Sequence, residues 1–281
     1  MTAVLLPEPG QTAPDADLER RFGGLRRLYG DQGYQRVRQA RVAVVGLGGV
    51  GSWAAEALAR SGVASLSLID LDHVAESNIN RQVQALDHTV GQAKALALQQ
   101  RIADIHPGCR VHAIEEFVDA ENWPGLLRTP VDAVIDACDQ GHAKLAMARW
   151  ALAQKIPLVV CGAAGGKRLA QLVEVADLAL TSHDPLLASL RQRLRRQGAP
   201  RQGALGLACV FSREPVAMPA AQPESAAGNV DPELAGHNGQ AATPGTESNL
   251  NCHGYGSSVT VTATFGMVAA GEVLRLLQLA R

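Results

Sequence analysis

Arg81 and Lys94 lie downstream of a glycine-rich turn, and Asn78 precedes the arginine by three residues. A guanidinium presents a fork of donors suited to phosphate, and an asparagine adds a neutral donor and acceptor. Asn78 and Arg81 stand one turn apart if their segment is helical. Lys94 falls near the start of an expected helix, behind Gly91, where its charge runs against the helix dipole and calls for an anionic partner. Each cation alone reads as readily as a solvated surface charge. Behind a phosphate-binding turn they describe a cradle for a triphosphate, which is more than a dinucleotide needs.

The turn itself is Gly46-Leu47-Gly48-Gly49-Val50-Gly51. It fits G-x-G-x-x-G between a β-branched strand (41–45) and a helix expected from about Ser52 to a C-cap at Gly62. Gly46, Gly48, Gly49 and Gly51 there allow a tight turn and bring backbone N–H groups to phosphate at a helix N-terminus. Asp70, closing SLSLID (65–70), is placed for ribose hydroxyls. Asp72 shares its face if the strand continues, and is a turn residue otherwise. Asp136 and Asp139, in VIDACDQ, follow the next apolar strand at the carboxyl edge, where ligands of such sheets sit. A carboxylate such as Asp139 can hold Mg²⁺ on the phosphates.

The elements that must position these residues alternate between two periods. Strands are expected at 41–45, 65–70, 109–114, 131–137 and 157–162, and helices at 52–62, 90–105 and 142–154. That alternation predicts an α/β, Rossmann-like, mostly parallel sheet with helices on both faces. Residues 162–181 mix glycine with alternating apolar residues and suggest a mixed or antiparallel elaboration. DPLLASLRQRLRRQ (184–197) predicts a basic amphipathic helix, SSVTVTATF (257–265) a strand, and Gly266 to Leu279 a final helix. Leu18 to Tyr34 suggests a short amphipathic helix after a frayed, Pro-rich stretch (1–17). Residues 18–281 read as one domain, with a flexible insertion at 216–249 that carries four prolines and almost no large apolar side chains.

Composition narrows the partners. With 281 residues and 47% apolar content the chain can bury a substantial core, and a net charge of −1 provides no global field for nucleic acid. Five scattered cysteines without a C-x-x-C pair fit neither a disulfide framework nor a zinc clip, and suit a reducing cytosol. No signal peptide is legible, and the chargeless stretch from Asn251 to Gly271 is too rich in glycine and hydroxyl residues to read as a membrane span. A cytoplasmic protein that does not engage a membrane is expected.

The run GLGGVGSWAAEALARSGVASLSLIDLDHVAESNINRQ, then VGQAK, then DACDQ, resembles the ubiquitin-activating-like superfamily, whose bacterial members include the MoeB, ThiF and HesA types. Those enzymes adenylate a carboxylate with Mg-ATP. The resemblance implies Gly48 and Gly49 at the phosphates, Asp70 at ribose, Asn78, Arg81 and Lys94 at the triphosphate, and Asp139 at the metal. It also implies a homodimer. Members that activate sulfur-carrier proteins have two C-x-x-C pairs, absent here. They also carry an N-terminal arginine that reaches the partner subunit's ATP. RFGGLRRLYG keeps Arg21 but has Gly24 at the position of that arginine, leaving Arg26 or Arg27 to replace it.

RFGGLRRLYG, GAAGGKRLAQ, DPLLASLRQRLRR, ACVFSREP and NCHGYGSSVTVTATFG look like the tRNA threonylcarbamoyladenosine dehydratases, over about Leu18 to Leu279 apart from the insertion. That family implies ATP-dependent ring closure on adenosine 37 of tRNA, through an acyl-adenylate attacked intramolecularly with loss of AMP. A tRNA carrying threonylcarbamoyladenosine is then the substrate, with a cysteine desulfurase or sulfur acceptor as a further candidate partner. Cys252, in NLNCHGYGSS, is the best cysteine candidate for a direct role, although a tethered nucleophile does not demand a thiol. Arg191, Arg193, Arg195 and Arg196, spread around one helix rather than on one strict face, are candidates for tRNA phosphate contacts together with Lys167 and Arg168, or belong to a solvated helix. Competing readings are activation of a sulfur carrier's C-terminal glycine, an NAD-dependent oxidoreductase, and a non-catalytic ATP sensor.

Overall fold

The computed structural model describes residues 16–217 and 255–279. Among these, β1 (Arg41–Val45), β2 (Ser65–Ile69), β3 (Arg110–Ile114), β4 (Ala133–Asp136), β5 (Leu158–Cys161), β6 (Val173–Asp177) and β7 (Ala208–Ser212) form one sheet in the order β3-β2-β1-β4-β5-β7-β6. Neighbours pair parallel except β6 and β7. The helices are α1 (Leu18–Phe22), α2 (Gly24–Gln39), α3 (Gly51–Arg60), α4 (Lys94–Ile105), α5 (Gly141–Gln154), α6 (Pro185–Arg196) and α7 (Val259–Leu279).

Strand side chains alternate between two buried faces. Val42, Val44, Leu66 and Leu68 share a core with Leu58 of α3, Leu98 of α4 and Phe265 of α7. Ala43, Val45, Ile69 and Val134 pack on the other face with Met147 of α5 and Leu190 of α6. Burial on both faces is why these strands read as unbroken apolar runs. In the ladder Val45 stands opposite both Ile69 and Asp136, so β1, β2 and β4 end level. The strand order reverses between β1 and β4, and the loops after these ends open into the crevice that such a reversal creates.

Several expectations are corrected. The strand expected at 257–265 is the first part of α7. Its β-branched run suits a strand locally, but Val261, Thr262, Phe265, Ala269 and Val273 recur at helical spacing and are buried. Burying a side chain such as Phe265 is worth about 1.5–3 kcal/mol, more than the propensity difference it overrides. Thr264 Oγ1 donates to Thr260 O at 2.6 Å, a bond that suits its hydroxyl to a helix. α7 is long and apolar enough to cross a membrane by length and composition, and half of its most apolar window is buried in the fold. β7 was not foreseen. It pairs parallel with β5 and antiparallel with β6, and this supplies the expected mixed elaboration.

At the N-terminus the helical segment runs on to Gln39, broken at Gly23 and turning at Gly30, whose φ is +70°. Asp17, expected to be frayed, caps α1 by accepting from Arg20 N at 2.9 Å. α4 begins at Lys94, not at Val90. Residues 1–15 and all but Val216 and Ala217 of the expected insertion lie outside the described residues, as does Cys252.

Candidate active site

Gly46 leaves β1 with φ +83°, and a Cβ there would lie 2.7 Å from Cys138 N. Only glycine meets both constraints. A Cβ on Gly51 would lie 1.8 Å from Gly46 O, so this glycine closes the turn onto α3. Gly48 faces open space, which leaves its backbone accessible to a ligand. These glycines therefore divide into two that build the turn and one whose backbone is left open to the cavity.

Asp70 follows β2. Its side chain is buried, accepting from Leu47 N at 2.6 Å and Asp72 N at 2.9 Å. Burial pushes its carboxyl up, against the nearby Lys94 and those two N–H donors. Lys94 sits at the first turn of α4 and has the anionic partner its position demands. Its Nζ is 2.7 Å from Asp72 Oδ2 and 4.0 Å from Asp70 Oδ1, and its backbone N donates to Asp72 O. The ammonium is therefore held almost out of solvent between two carboxylates, pre-placed rather than searching.

Asn78 ends a 3₁₀ turn (Glu76–Asn78) and is buried, its Oδ1 accepting from Ala75 N at 3.1 Å. Arg81 donates to Ser77 O at 2.8 Å and Asn80 Oδ1 at 2.9 Å. Its own carbonyl accepts from Trp53 Nε1 of α3 at 2.9 Å, which staples this loop to the helix after the glycine turn. Gly46, Gly48, Gly49, Asp70, Asp72, Asn78, Arg81, Lys94 and Asp139 all line one cavity of about 380 Å³, whereas Gly51 packs behind it.

Beneath the DACDQ turn lies a buried ion pair. Lys144 Nζ of α5 is 3.0 Å from Asp136 Oδ1 and donates to Cys161 O at 2.8 Å, so it ties the ends of β4 and β5 together. Burial opposes the Lys144 charge, but Asp136 together with the neighbouring Cys138 and Cys161 outweighs it and the net push is upward. Cys138 Sγ donates to the same carboxylate oxygen at 3.1 Å, and burial raises that thiol far above reactive range. Asp136 is thus structural, and Asp139 is the member of the pair that meets the cavity.

The residues expected at tRNA do not form one patch. Lys167 is buried, donating to Ser212 O at 3.1 Å and Glu214 O at 2.7 Å, so its charge is spent on backbone carbonyls. Arg168 is exposed, with its backbone N held by Glu214. Arg191 Nη1 donates to Leu178 O, Thr181 O and Thr181 Oγ1. Arg195 lies one turn further along α6 and lines the same groove as Arg191, whereas Lys167 and Arg168 lie outside it.

Sequence reasoning missed the far wall of the cavity. It comprises Gly162 to Gly165 after β5, Pro185 and Leu186 at the start of α6, Val216, Tyr255, Ser257 and Thr262. Gly162 and the α6 cap are fitted to each other, since Asp184 Oδ2 accepts from Ala163 N at 2.8 Å. The glycines of GAAGG were the only local signal, because strands and helices far apart in sequence meet here. No group of three or more potential metal-ligating side chains occurs among the described residues. Asp139, on the cavity wall, still fits Mg²⁺, which takes one or two carboxylates and can complete its shell with phosphate oxygens and water.

The model of the ThiF family matches residues 22–280. A tRNA threonylcarbamoyladenosine dehydratase of Escherichia coli K12 is 41% identical over 260 residues, covering 91% of this chain and 92% of that protein. One of the same name from Haemophilus influenzae is 37% identical over 264 residues, again 91% and 92% of the two chains. A crystal structure of the Escherichia coli dehydratase in complex with ATP superposes with a TM-score of 0.77 at 39% identity, covering 92% of this chain and 94% of that one.

Proposed function

The chain belongs to the ThiF family and, within it, to the tRNA threonylcarbamoyladenosine dehydratases, and on that premise we propose that it uses ATP to close the threonylcarbamoyl group of that tRNA nucleoside into a ring. The observation that carries the reading is a single cavity with two unlike walls. One wall gathers the glycine turn, Asp70, Arg81, Lys94 and Asp139, and the other offers glycine backbone and Tyr255 for a second ligand.

The threonyl carboxylate attacks the α-phosphorus of ATP, and pyrophosphate leaves. Gly48 N–H at the α3 N-terminus, Arg81 and Lys94 neutralise charge developing on the phosphoryl oxygens, which is most of what such a transfer requires. Asp70 holds the ribose end and at the same time braces the glycine turn through Leu47. Asp139 with the phosphates would hold Mg²⁺, which when bound shields phosphate charge. The carbamoyl group then attacks the acyl-adenylate and AMP departs with one carboxylate oxygen, so the nucleoside loses the elements of water. Tethering of the nucleophile supplies much of this second step. Cys252 is not required by this route.

Residues 18–281 act in this reading as one adenylation unit, cytoplasmic and paired as a homodimer. Of the two arginines that could reach a partner's nucleotide, Arg26 is engaged by Glu19 at 2.9 Å and Asp31 at 3.1 Å and stacks on Tyr34, which favours Arg27. No sulfur moves in the reaction, so a sulfur-transfer partner would act outside it. Activation of a sulfur carrier lacks its cysteine pairs, and hydride transfer gives no role to Arg81 and Lys94. The test is mass spectrometry of tRNA nucleosides after incubation with Mg-ATP. ATP-dependent loss of one water from threonylcarbamoyladenosine is expected; an unchanged nucleoside would overturn the reading.

A further inference from the structure

We propose that the solvent-facing stripe of α6 is the track by which the sugar–phosphate backbone of the tRNA leaves the cavity, an inference that rests on the dehydratase reading. α6 buries Leu187, Leu190 and Leu194. Residues 185, 188, 189, 192, 195 and 196 recur at three- and four-residue steps and make a second stripe. With Arg191 and Arg201 they line a shallow groove of about 770 Å³. Pro185 also lines the nucleotide cavity, so groove and cavity adjoin at the helix start.

The stripe changes character along its length. Ala188 and Ser189, next to the cavity, are small and let a backbone approach closely. Arg195, Arg196 and Arg201, at the far end, are cationic. From Pro185 to Arg196 the helix rises roughly 16 Å, enough to span a few successive phosphates. Among the described residues no carboxylate pairs with Arg195, Arg196 or Arg201, and Arg195 Nε is buried without a hydrogen-bond partner. Arg191 differs, because its three bonds to oxygens of residues 178 and 181 make it a brace for the groove. Complementing the helix dipole accounts for Arg195 and Arg196 in the last turn, but not for Arg201, which lies on the loop beyond. Reaction on a tRNA base requires that base to be splayed out of its loop. The strand beside it must then cross the cavity rim, and this rim leads from small residues to cations that no carboxylate among the described residues neutralises.

The experiment is steady-state dehydration of threonylcarbamoyladenosine-bearing tRNA across a salt series, with ATP binding to the protein alone as a control. R196E/R201E is expected to raise KM for tRNA on the order of tenfold while leaving kcat and ATP binding unchanged. Its dependence of log KM on log salt should be shallower by about one unit per arginine lost. R196K/R201K should restore both, since a phosphate contact needs the charge. S189W should raise KM without altering the salt slope. Wild-type KM and slope in R196E/R201E, or a lysine variant as impaired as the glutamate one, would overturn the track. An inactive wild type would instead mark failure of the dehydratase reading, before any variant is compared.

Discussion

Arg81 and Lys94 approach the cavity from different elements, and neither holds up the fold. The Arg81 side chain bonds only within its own loop, and the Lys94 ammonium, at the cavity wall, has the half-exposed Asp72 as its near partner at 2.7 Å and Asp70 only at 4.0 Å. Arg81→Ala and Lys94→Ala should therefore each lower kcat by about 10²–10³-fold, the usual cost of one charge-stabilising donor, with thermal midpoints close to wild type. Wild-type turnover in both would sink the triphosphate cradle. Lys144 is the converse case. Lys144→Met strands Asp136 as a buried, uncompensated charge, at a cost of about 3–5 kcal/mol in urea unfolding. Lys144→Met with Asp136→Leu should recover much of that loss, because replacing a whole buried pair is often near neutral. An unchanged unfolding midpoint in the single variant would remove the pair's structural role.

Helix α7 carries the largest gap between local signal and outcome. It crosses α3 so closely that a Cβ on Gly266 would lie 2.4 Å from Val50 O and 2.9 Å from Ala54 N. Both obstacles are backbone, one in the glycine turn and one in the first turn of α3, so the clash cannot be absorbed by a rotamer. Gly266→Val should destabilise the fold by about 1–3 kcal/mol. Through the displaced turn it should also weaken ATP binding measured by calorimetry. Intact ATP affinity in a destabilised variant would show that α7 supports the fold without shaping the site. Val259 to Thr264 read as a strand because β-branched residues fit either a pleated surface or a buried helix stripe. The choice was made by the groove that α3 offers.

At the scale of the whole molecule, one joint makes stability depend on pH. His106, after α4, is buried against Phe22 of α1 with ring centroids 4.7 Å apart, and its Nε2 is 3.0 Å from Arg38 Nη1. Burial first, then the charges of Arg38 and Arg21, lower its pKa to about 4. The unfolded chain binds that proton near pH 6.5 and the folded chain does not. The stabilisation is therefore complete above pH 6.5 and declines as pH falls toward 4, by roughly 3 kcal/mol from this group. Urea midpoints recorded from pH 7 to 4 should show the decline, and His106→Asn should flatten it. A curve of the same slope in the variant would place the dependence elsewhere.

The sequence by itself determined the parallel core, the glycine turn and the residues on one wall of the cavity. Each of these is written in a local code: apolar runs for strands buried on both faces, glycines where a side chain cannot fit, and charges spaced along one βα unit. Resemblance of its motifs to a known family extended that reading to the reaction. Tertiary structure alone decided which of two neighbouring aspartates meets the cavity. Asp136 and Asp139 look alike in VIDACDQ, and only the position of Lys144, eight residues past Asp136, shows that the first is spent inside. It likewise decided that Lys167 caps carbonyls, that 257–265 joins a helix, and that the arginines of α6 continue a stripe beginning at the cavity. Burial, pairing and the direction of a helix face depend on segments distant in the chain, and no local pattern of residues encodes what those segments will supply.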